Sequence, residues 1–233
     1  MPIGALINYI SGYEAKRKRL LKKAPEGPLK DFLSTPFPSL ETPIHELGIL
    51  AVDFETTGLD AKKDKLLSIG FVAMEQEQIK LNSCYHQIIN TTTRLKESNV
   101  IIHQITDDQK EQGQPLELVV KKLLTALTGK VMLVHFARIE RQFLQQACLE
   151  LYGLAPDFPI IDTLVIAKRK LDKRDVSYDP SELRLSNLRQ KYQLPDHHGH
   201  NALNDAIATA ELLLAQINDN SKNATVQLKD ILL

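Results

Sequence analysis

Two carboxylates stand where an apolar run ends: in AVDFETTGLD, residues 51–60, Asp53 and Glu55 are followed at once by Thr56, Thr57 and Gly58. Alternate residues of a strand share a face, so Asp53 and Glu55 point the same way as Ile49 and Ala51. Leaving both ionised beside a core is costly, and relief comes from a proton on one of them or from a cation held by the pair. A divalent metal answers that need with one ion. The plainer alternative puts both carboxylates in the loop, solvated, with the threonines forming a polar turn around Gly58. The full DFETTG favours a site, because Gly58 permits a tight backbone approach where a ligand could sit.

Two further acidic candidates lie downstream. In VHFARIERQFL, residues 134–144, a helix starting near Ala137 predicts one face of Phe136, Glu140, Phe143, Leu144 and Ala147. Glu140 is the odd member of that apolar stripe, either a ligand or a glutamate paired at the edge with Arg138 or Arg141. In HGHNALNDAIATAELLLAQI, residues 198–217, the apolar stripe runs through Leu203, Ala206, Ile207, Ala210, Leu214 and Ile217, and Asp205 lies off it. Helical phase alone gives Asp205 a surface place. His197, His198 and His200 crowd the loop before it, as a zinc site, a solvated turn or one useful base; without cysteines the solvated turn is the default.

The elements that must carry these groups are legible from periodicity. GILAVDF, KLLSIGFVAM and IKLNSCYHQII predict three strands able to pair antiparallel with one another, and KVMLVH predicts a fourth, parallel strand after a helix over 115–127. Helices are expected over 138–151, 162–171, 183–192 and 202–217, with Pro156, Pro159, Pro180 and Pro195 punctuating the connections. The result is a mixed α/β domain.

Residues 1–44 differ in character, with the basic run KRKRLLKK from Lys16 to Lys23 followed by five prolines. They form an N-terminal extension, its cations a solvated helix face or a phosphate contact. Residues 45–218 make the domain and 219–233 a short tail, in which QLKDILL faintly resembles a sliding-clamp-binding peptide. Lys plus Arg equals Asp plus Glu at 29 each, so any nucleic-acid surface is local rather than global. Two distant cysteines, Cys84 and Cys148, exclude a disulfide scaffold and suit a reducing cytoplasm. No long apolar run suggests export or a membrane partner.

Taken in order, these segments resemble the DEDDh 3′ to 5′ exonucleases, the DnaQ-like family of the proofreading subunit of bacterial replicative polymerase and of ribonuclease T. The resemblance covers about residues 45–218. DFETTG matches the first motif through Asp53 and Glu55, and HNALND matches the third, HxAxxD, through His200 and Asp205. The second motif is usually His-Asn-Ala-x-Phe-Asp; here HFARIE sets Glu140 where the family has aspartate, one methylene longer. IIDTLVIAKR resembles the segment in which Asp-Thr opens a helix, making Asp162 an N-cap before it is a catalyst, and IIHQIT resembles the family's stretch beside the nucleotide, which nominates His103.

The resemblance implies a ribonuclease H-like fold with a mixed central sheet flanked by helices. It implies two Mg²⁺ or Mn²⁺ ions held by Asp53, Glu55 and Asp205 and completed by Glu140, with His200 as general base. His135 is then structural or substrate-facing. The implied substrate is a single-stranded 3′ end of DNA or RNA, with Phe54, Thr56, Thr57, Gly58, Leu59 and His103 around it; Lys168, Arg169, Lys170, Lys173 and Arg174 offer a grip on its backbone, with a solvated helix end as the plainer reading. A polymerase or other replication or repair protein is the expected partner, and a homodimer is an open expectation. The alternative, motivated by Glu140, is a silent nucleic-acid-binding scaffold that keeps the fold.

Overall fold

The computed structural model describes residues 3–91, 105–175, 177–220 and 225–233. The β-branched and aliphatic runs become strands β1 (Ile49–Thr56), β2 (Leu66–Glu75), β3 (Gln78–Ile88), β4 (Val131–Val134) and β5 (Ile160–Asp162). They form one sheet in the order β3-β2-β1-β4-β5. β2 pairs antiparallel with β1 and with β3, whereas β1 pairs parallel with β4 and β4 with β5. β3 does not reach β1. Gln76 and Glu77, at φ of 53° and 57°, make the two-residue turn that folds β3 back onto β2 alone.

Helices α1 (Ile3–Leu21), α2 (Pro28–Ser34), α3 (Asp107–Glu111), α4 (Leu116–Leu127), α5 (Arg138–Tyr152), α6 (Thr163–Lys173), α7 (Leu185–Lys191), α8 (Ala202–Asn220) and α9 (Leu228–Ile231) surround the sheet. Alternation on β1 divides the core. Leu50, Val52 and Phe54 pack with α4, α5 and the side chains Phe32 and Leu33 of α2, while Ile49 and Ala51 pack with Ala206, Ala210 and Leu213 of α8. β5 is the strand that periodicity missed. Three residues are too few for alternation to register, and only pairing with β4 defines it.

Both ends of the chain pack on the sheet's flanks. Leu29, Phe32 and Leu33 are at most 2% exposed, and Arg17 of the basic run is itself buried, paired with Glu14 and donating to the Leu33 carbonyl. Lys16 reaches Asp157 at 2.9 Å. The apolar residues of QLKDILL are likewise occupied: Leu228, Ile231 and Leu232 are buried, and the Leu233 N–H donates to the Ile160 carbonyl at 2.9 Å. A clamp would find them covered. Among the described residues no helix is long and apolar enough to cross a membrane.

One glycine sets how closely α8 approaches. A Cβ on Gly70 would meet the backbone of Ala202 and Leu203 at 2.2 Å, so only glycine lets the first turn of α8 rest on β2. Gly70 pairs with Asp53 in the β1–β2 register. The close approach therefore delivers α8 to the strand position that carries the first carboxylate.

Candidate active site

The parallel strands β1, β4 and β5 end along one edge, and the acidic candidates gather there. Asp53 and Glu55 lie on the α8 face of β1, where the register slips between Glu55 and Thr56, an irregularity that re-aims side chains at a strand end. Asp205, in the first turn of α8, comes to meet them. Single carboxylate oxygens of Asp53, Glu55 and Asp205 all lie within 4.8 Å of one another.

Glu140 arrives from the other flank. After β4 the chain turns sharply at Phe136, where φ is 77°, and enters α5 at Arg138. Asp162, at the end of β5, holds that turn: its Oδ2 accepts from the Ala137 N–H at 2.8 Å and its Oδ1 from the Phe136 N–H at 3.1 Å. The same Oδ1 caps α6 through the N–H of Leu164 at 2.9 Å. The N-cap reading of Asp162 holds, and the side chain does a second task by fixing the start of α5. Glu140, one turn further on, is 3% exposed, and its Oε2 is buried with no hydrogen-bond partner.

The electrostatics follow from this crowding. Burial pushes the Glu140 carboxyl up to about 8, with the negative charges of Asp162 and Glu55 adding to the rise against its own backbone hydrogen bond. Burial likewise drives Asp53 well above the carboxylate range, and Glu140, Asp205 and Glu55 push further. Asp205 is raised by burial and by Glu55, while His197 opposes the shift. An orphaned buried oxygen, carboxyls that resist ionising and an oxygen-only donor set fit a hard divalent cation, whose charge removes the repulsion. Glu140 faces inward rather than out to Arg138 or Arg141 and its charge is felt at Asp53, but its oxygens are not among those that lie within 4.8 Å of one another.

The histidine loop divides its roles. His197 Nε2 lies 2.9 Å from Asp205 Oδ1, and the backbone N–H of His200 donates to Oδ2 at 2.8 Å. The His200 imidazole is left exposed at the rim, on a residue held at φ 64°. His135 has both nitrogens engaged inside the fold. Its Nε2 is 3.0 Å from the Leu183 carbonyl, which can only accept, so Nε2 carries a proton; its Nδ1 is 2.8 Å from Thr163 Oγ1, a hydroxyl that also lies 3.3 Å from the Val134 carbonyl, and burial, which lowers the ring's pKa, favours the neutral Nε2–H form.

The expected substrate residues fare unevenly. Phe54 is 6% exposed in the apolar cluster of the opposite sheet face, and strand alternation removes it from the substrate side. The Thr56 hydroxyl donates to the Gly58 carbonyl, and Thr57 bonds Asp64 and the Lys65 N–H, so both build the turn. The tight approach at Gly58 is made by Asp64, whose carboxylate a Cβ there would meet at 2.5 Å. Leu59 is 70% exposed. His103 lies outside the described residues.

The basic residues of α6 do not flank the carboxylates. Lys170 pairs with Asp219, which lies fourteen residues beyond Asp205 on the same helix, about 21 Å away at 1.5 Å per residue. Lys168 pairs with Asp172, and Arg169 donates to the Leu232 carbonyl. Conversely, pattern reading missed His86. It pairs with Gly70 across β2–β3, feels the charge of Glu55 and lines a cleft of about 290 Å³ with Gln109, His198, His200 and Asn204. A lone histidine on a strand carries no signal that would have singled it out.

A mixed sheet in this strand order, with acidic groups converging at the parallel strand ends, defines a ribonuclease H-like exonuclease fold. The nuclease domain of 3′hExo, a DEDDh family member bound to rAMP, superimposes with a TM-score of 0.63 at 18% identity, covering 79% of this chain and 100% of that one. The family model described as Exonuclease (RNase_T) matches residues 50–213, and the chain belongs to that DnaQ-like exonuclease family. A DNA polymerase III subunit epsilon of Treponema pallidum is 27% identical over 181 residues, 77% of this chain and 81% of that protein. A PolC-type DNA polymerase III of Thermotoga petrophila is 29% identical over 193 residues, 83% of this chain but 14% of that much longer protein.

Proposed function

We propose that the protein is a metal-dependent 3′ to 5′ exonuclease that hydrolyses the terminal phosphodiester of single-stranded nucleic acid and releases nucleoside 5′-monophosphates. The observation that carries this reading is the convergence of Asp53, Glu55 and Asp205 within 4.8 Å, beside the orphaned Oε2 of Glu140. These four carboxylates would hold the divalent cations, two Mg²⁺ or Mn²⁺ ions. When bound, such ions neutralise the phosphate, activate the attacking water and stabilise the leaving 3′ oxygen.

The chain's own groups supply the rest. His200, exposed beside the carboxylates, is the general base that takes a proton from the attacking water, a task suited to an imidazole near neutral pH. Asp205 holds the backbone of His200 through Oδ2 and so fixes where that imidazole stands. As the new P–O bond forms, the P–O3′ bond breaks, and the leaving O3′ takes a proton from solvent to become the 3′ hydroxyl of the penultimate nucleotide. The kinship with epsilon and PolC-type polymerases supports DNA as the substrate and a replicative polymerase as the partner.

The test is a 5′-labelled single-stranded DNA and its RNA counterpart, incubated with Mn²⁺, Mg²⁺ or chelator. Wild-type protein is expected to produce a metal-dependent ladder from the 3′ end, and Asp53→Asn and His200→Ala proteins are expected not to. Absence of any ladder from the wild type overturns the reading and favours a silent scaffold.

A further inference from the structure

Four cations at the end of α6 line a cleft that the proposed hydrolysis does not use. Arg169, Lys170, Lys173 and Arg174 share one face of the helix with Ile166, at spacings of three and four residues. Thr225, Val226, Asp230 and Ile231 form the facing wall, and the space between is about 550 Å³. Arg169 ties the two walls together by donating to the Leu232 carbonyl at 3.0 Å. Ile166 and Ile231 belong to the core and Val226 packs against it, so the cleft has a firm apolar floor. It stands beside Asp219, at the other end of α8 from Asp205 and about 21 Å along that helix.

The charge in this cleft is not used up locally. Basic residues favour the carboxyl-terminal end of a helix, and Lys168 and Lys170 have carboxylate partners there, Asp172 and Asp219. Lys173 and Arg174 are exposed, and among the described residues neither is ion-paired. Asp230 is the one carboxylate among the described lining residues, and its Oδ2 accepts from the Gln227 N–H at 2.9 Å. Two spare cations beside a half-buried guanidinium suit a phosphate, which the planar fork of an arginine binds in bidentate fashion. A phosphate seat next to an apolar floor fits the two halves of a nucleotide, and the volume falls within the roughly 300–1,000 Å³ of small-ligand sites.

We propose that this cleft is a second, non-catalytic nucleotide site, in which Arg169, Lys173 and Arg174 hold the phosphate and Ile166, Val226 and Ile231 carry the base. A nucleotide can come to it from two sources, as a free nucleoside 5′-monophosphate or as one unit of a strand whose 3′ end lies at the carboxylates. At about 3.4 Å per phosphate, a strand covers the distance between the two sites in about six nucleotides.

Binding is measured in chelator, where nothing is hydrolysed. The probes are thymidine 5′-monophosphate and thymidine by calorimetry, and labelled oligothymidylates of roughly 3 and roughly 15 nucleotides by fluorescence anisotropy. If the free nucleotide is the source, wild type is expected to bind the monophosphate about tenfold or more tightly than thymidine, and Lys173→Gln/Arg174→Gln to lose that preference. Thr225→Trp, which narrows the cleft at an exposed position without changing charge, is expected to weaken the monophosphate by a similar factor. Lys168→Gln, on the same helix but outside the cleft, is expected to bind as wild type does. If the strand is the source, the two cleft variants weaken the longer oligonucleotide and spare the shorter, and Lys173→Gln/Arg174→Gln lowers its salt slope by about 1–2. Cleft variants that match wild type on every probe, or an equal loss in Lys168→Gln, overturn the site and leave the exonuclease reading standing. Absence of a 3′ ladder in the hydrolysis assay, conversely, leaves this binding result intact.

Discussion

His197 and Asp205 meet at 2.9 Å, Nε2 to Oδ1, with both side chains about 15% exposed or less. Together with the His200 N–H on Oδ2, this contact leaves the Asp205 carboxylate fixed in orientation before any cation arrives. Groups that orient a ligating carboxylate affect metal affinity by 10- to 100-fold as a rule of thumb, roughly. His197→Ala is therefore expected to weaken Mn²⁺ binding about tenfold or more by calorimetric titration, and His197→Gln to recover part of it. Equal affinities across the three proteins would reduce His197 to a loop residue.

Gly70 governs the same carboxylate from beneath. With Ala202 and Leu203 backbone atoms 2.2 Å from where a Cβ would stand, Gly70→Ala must lift the start of α8 off β2. The cost expected from overpacking is about 2 kcal/mol or more. Asp205 moves away from Asp53 as the helix lifts, so Mn²⁺ affinity falls along with the thermal midpoint. A variant that loses stability but keeps wild-type Mn²⁺ affinity would uncouple the glycine from the site.

Glu140 carries opposite consequences for stability and activity. Its carboxyl is buried among like charges and pushed up to about 8, so it costs the metal-free protein stability that grows as pH rises above about 4.5 and is complete above about 8. Glu140→Gln removes this strain and is expected to stabilise the metal-free protein by roughly 1 kcal/mol near pH 8.5, a rise of about 2–4 °C in Tm. Glu140→Ala is expected to abolish turnover and Glu140→Asp to retain some. A Tm that falls in Glu140→Gln, with activity unaffected in all three, would make Glu140 a structural residue.

Much of this architecture was legible because it rests on local signals. Four strands and the helices over 115–127, 138–151 and 202–217 announce themselves by period, and Asp53 and Glu55 by the cost of two charges on one strand face. Asp205 lay off the apolar stripe of its helix, and only the motif resemblance singled it out. The contact that makes it functional, Ala202 on Gly70, joins residues 132 positions apart and has no local trace. Phe54 was misassigned for a related reason: adjacency in DFETTG suggested a shared site, whereas strand alternation sends it to the opposite face. The Asp162 hub was half visible, since its capping of α6 is local but its hold on Phe136 and Ala137 spans strands.

The half-buried imidazole of His135 sets an acid limit. Burial lowers its pKa below the ordinary 6.5, so the unfolded chain takes up a proton more readily than the folded one. Its contribution is therefore fully present above pH 6.5 and is lost as pH falls below that value toward the folded-state pKa. His135→Gln forgoes the bonds to Thr163 and the Leu183 carbonyl and is expected to be less stable at pH 7 by about 1–3 kcal/mol. Its Tm should vary less than wild type between pH 7 and pH 5. A wild-type curve no steeper than that of the variant would contradict the neutral tautomer.

Asp162 separates positioning from ligation. Its two oxygens accept from the N–H groups of Phe136, Ala137 and Leu164, binding the starts of α5 and α6 to the end of β5. Loss of a charged acceptor serving several buried donors costs about 3 kcal/mol or more. Asp162→Ala is expected to lower Tm strongly and to weaken Mn²⁺ binding through displacement of Glu140. Asp162→Asn, which keeps one carbonyl acceptor, should retain a larger share of stability and an intact metal affinity at temperatures where it is folded. If Asp162→Asn were instead fully folded yet unable to bind Mn²⁺, the carboxylate would be a fifth ligand rather than the clamp that holds α5 in place.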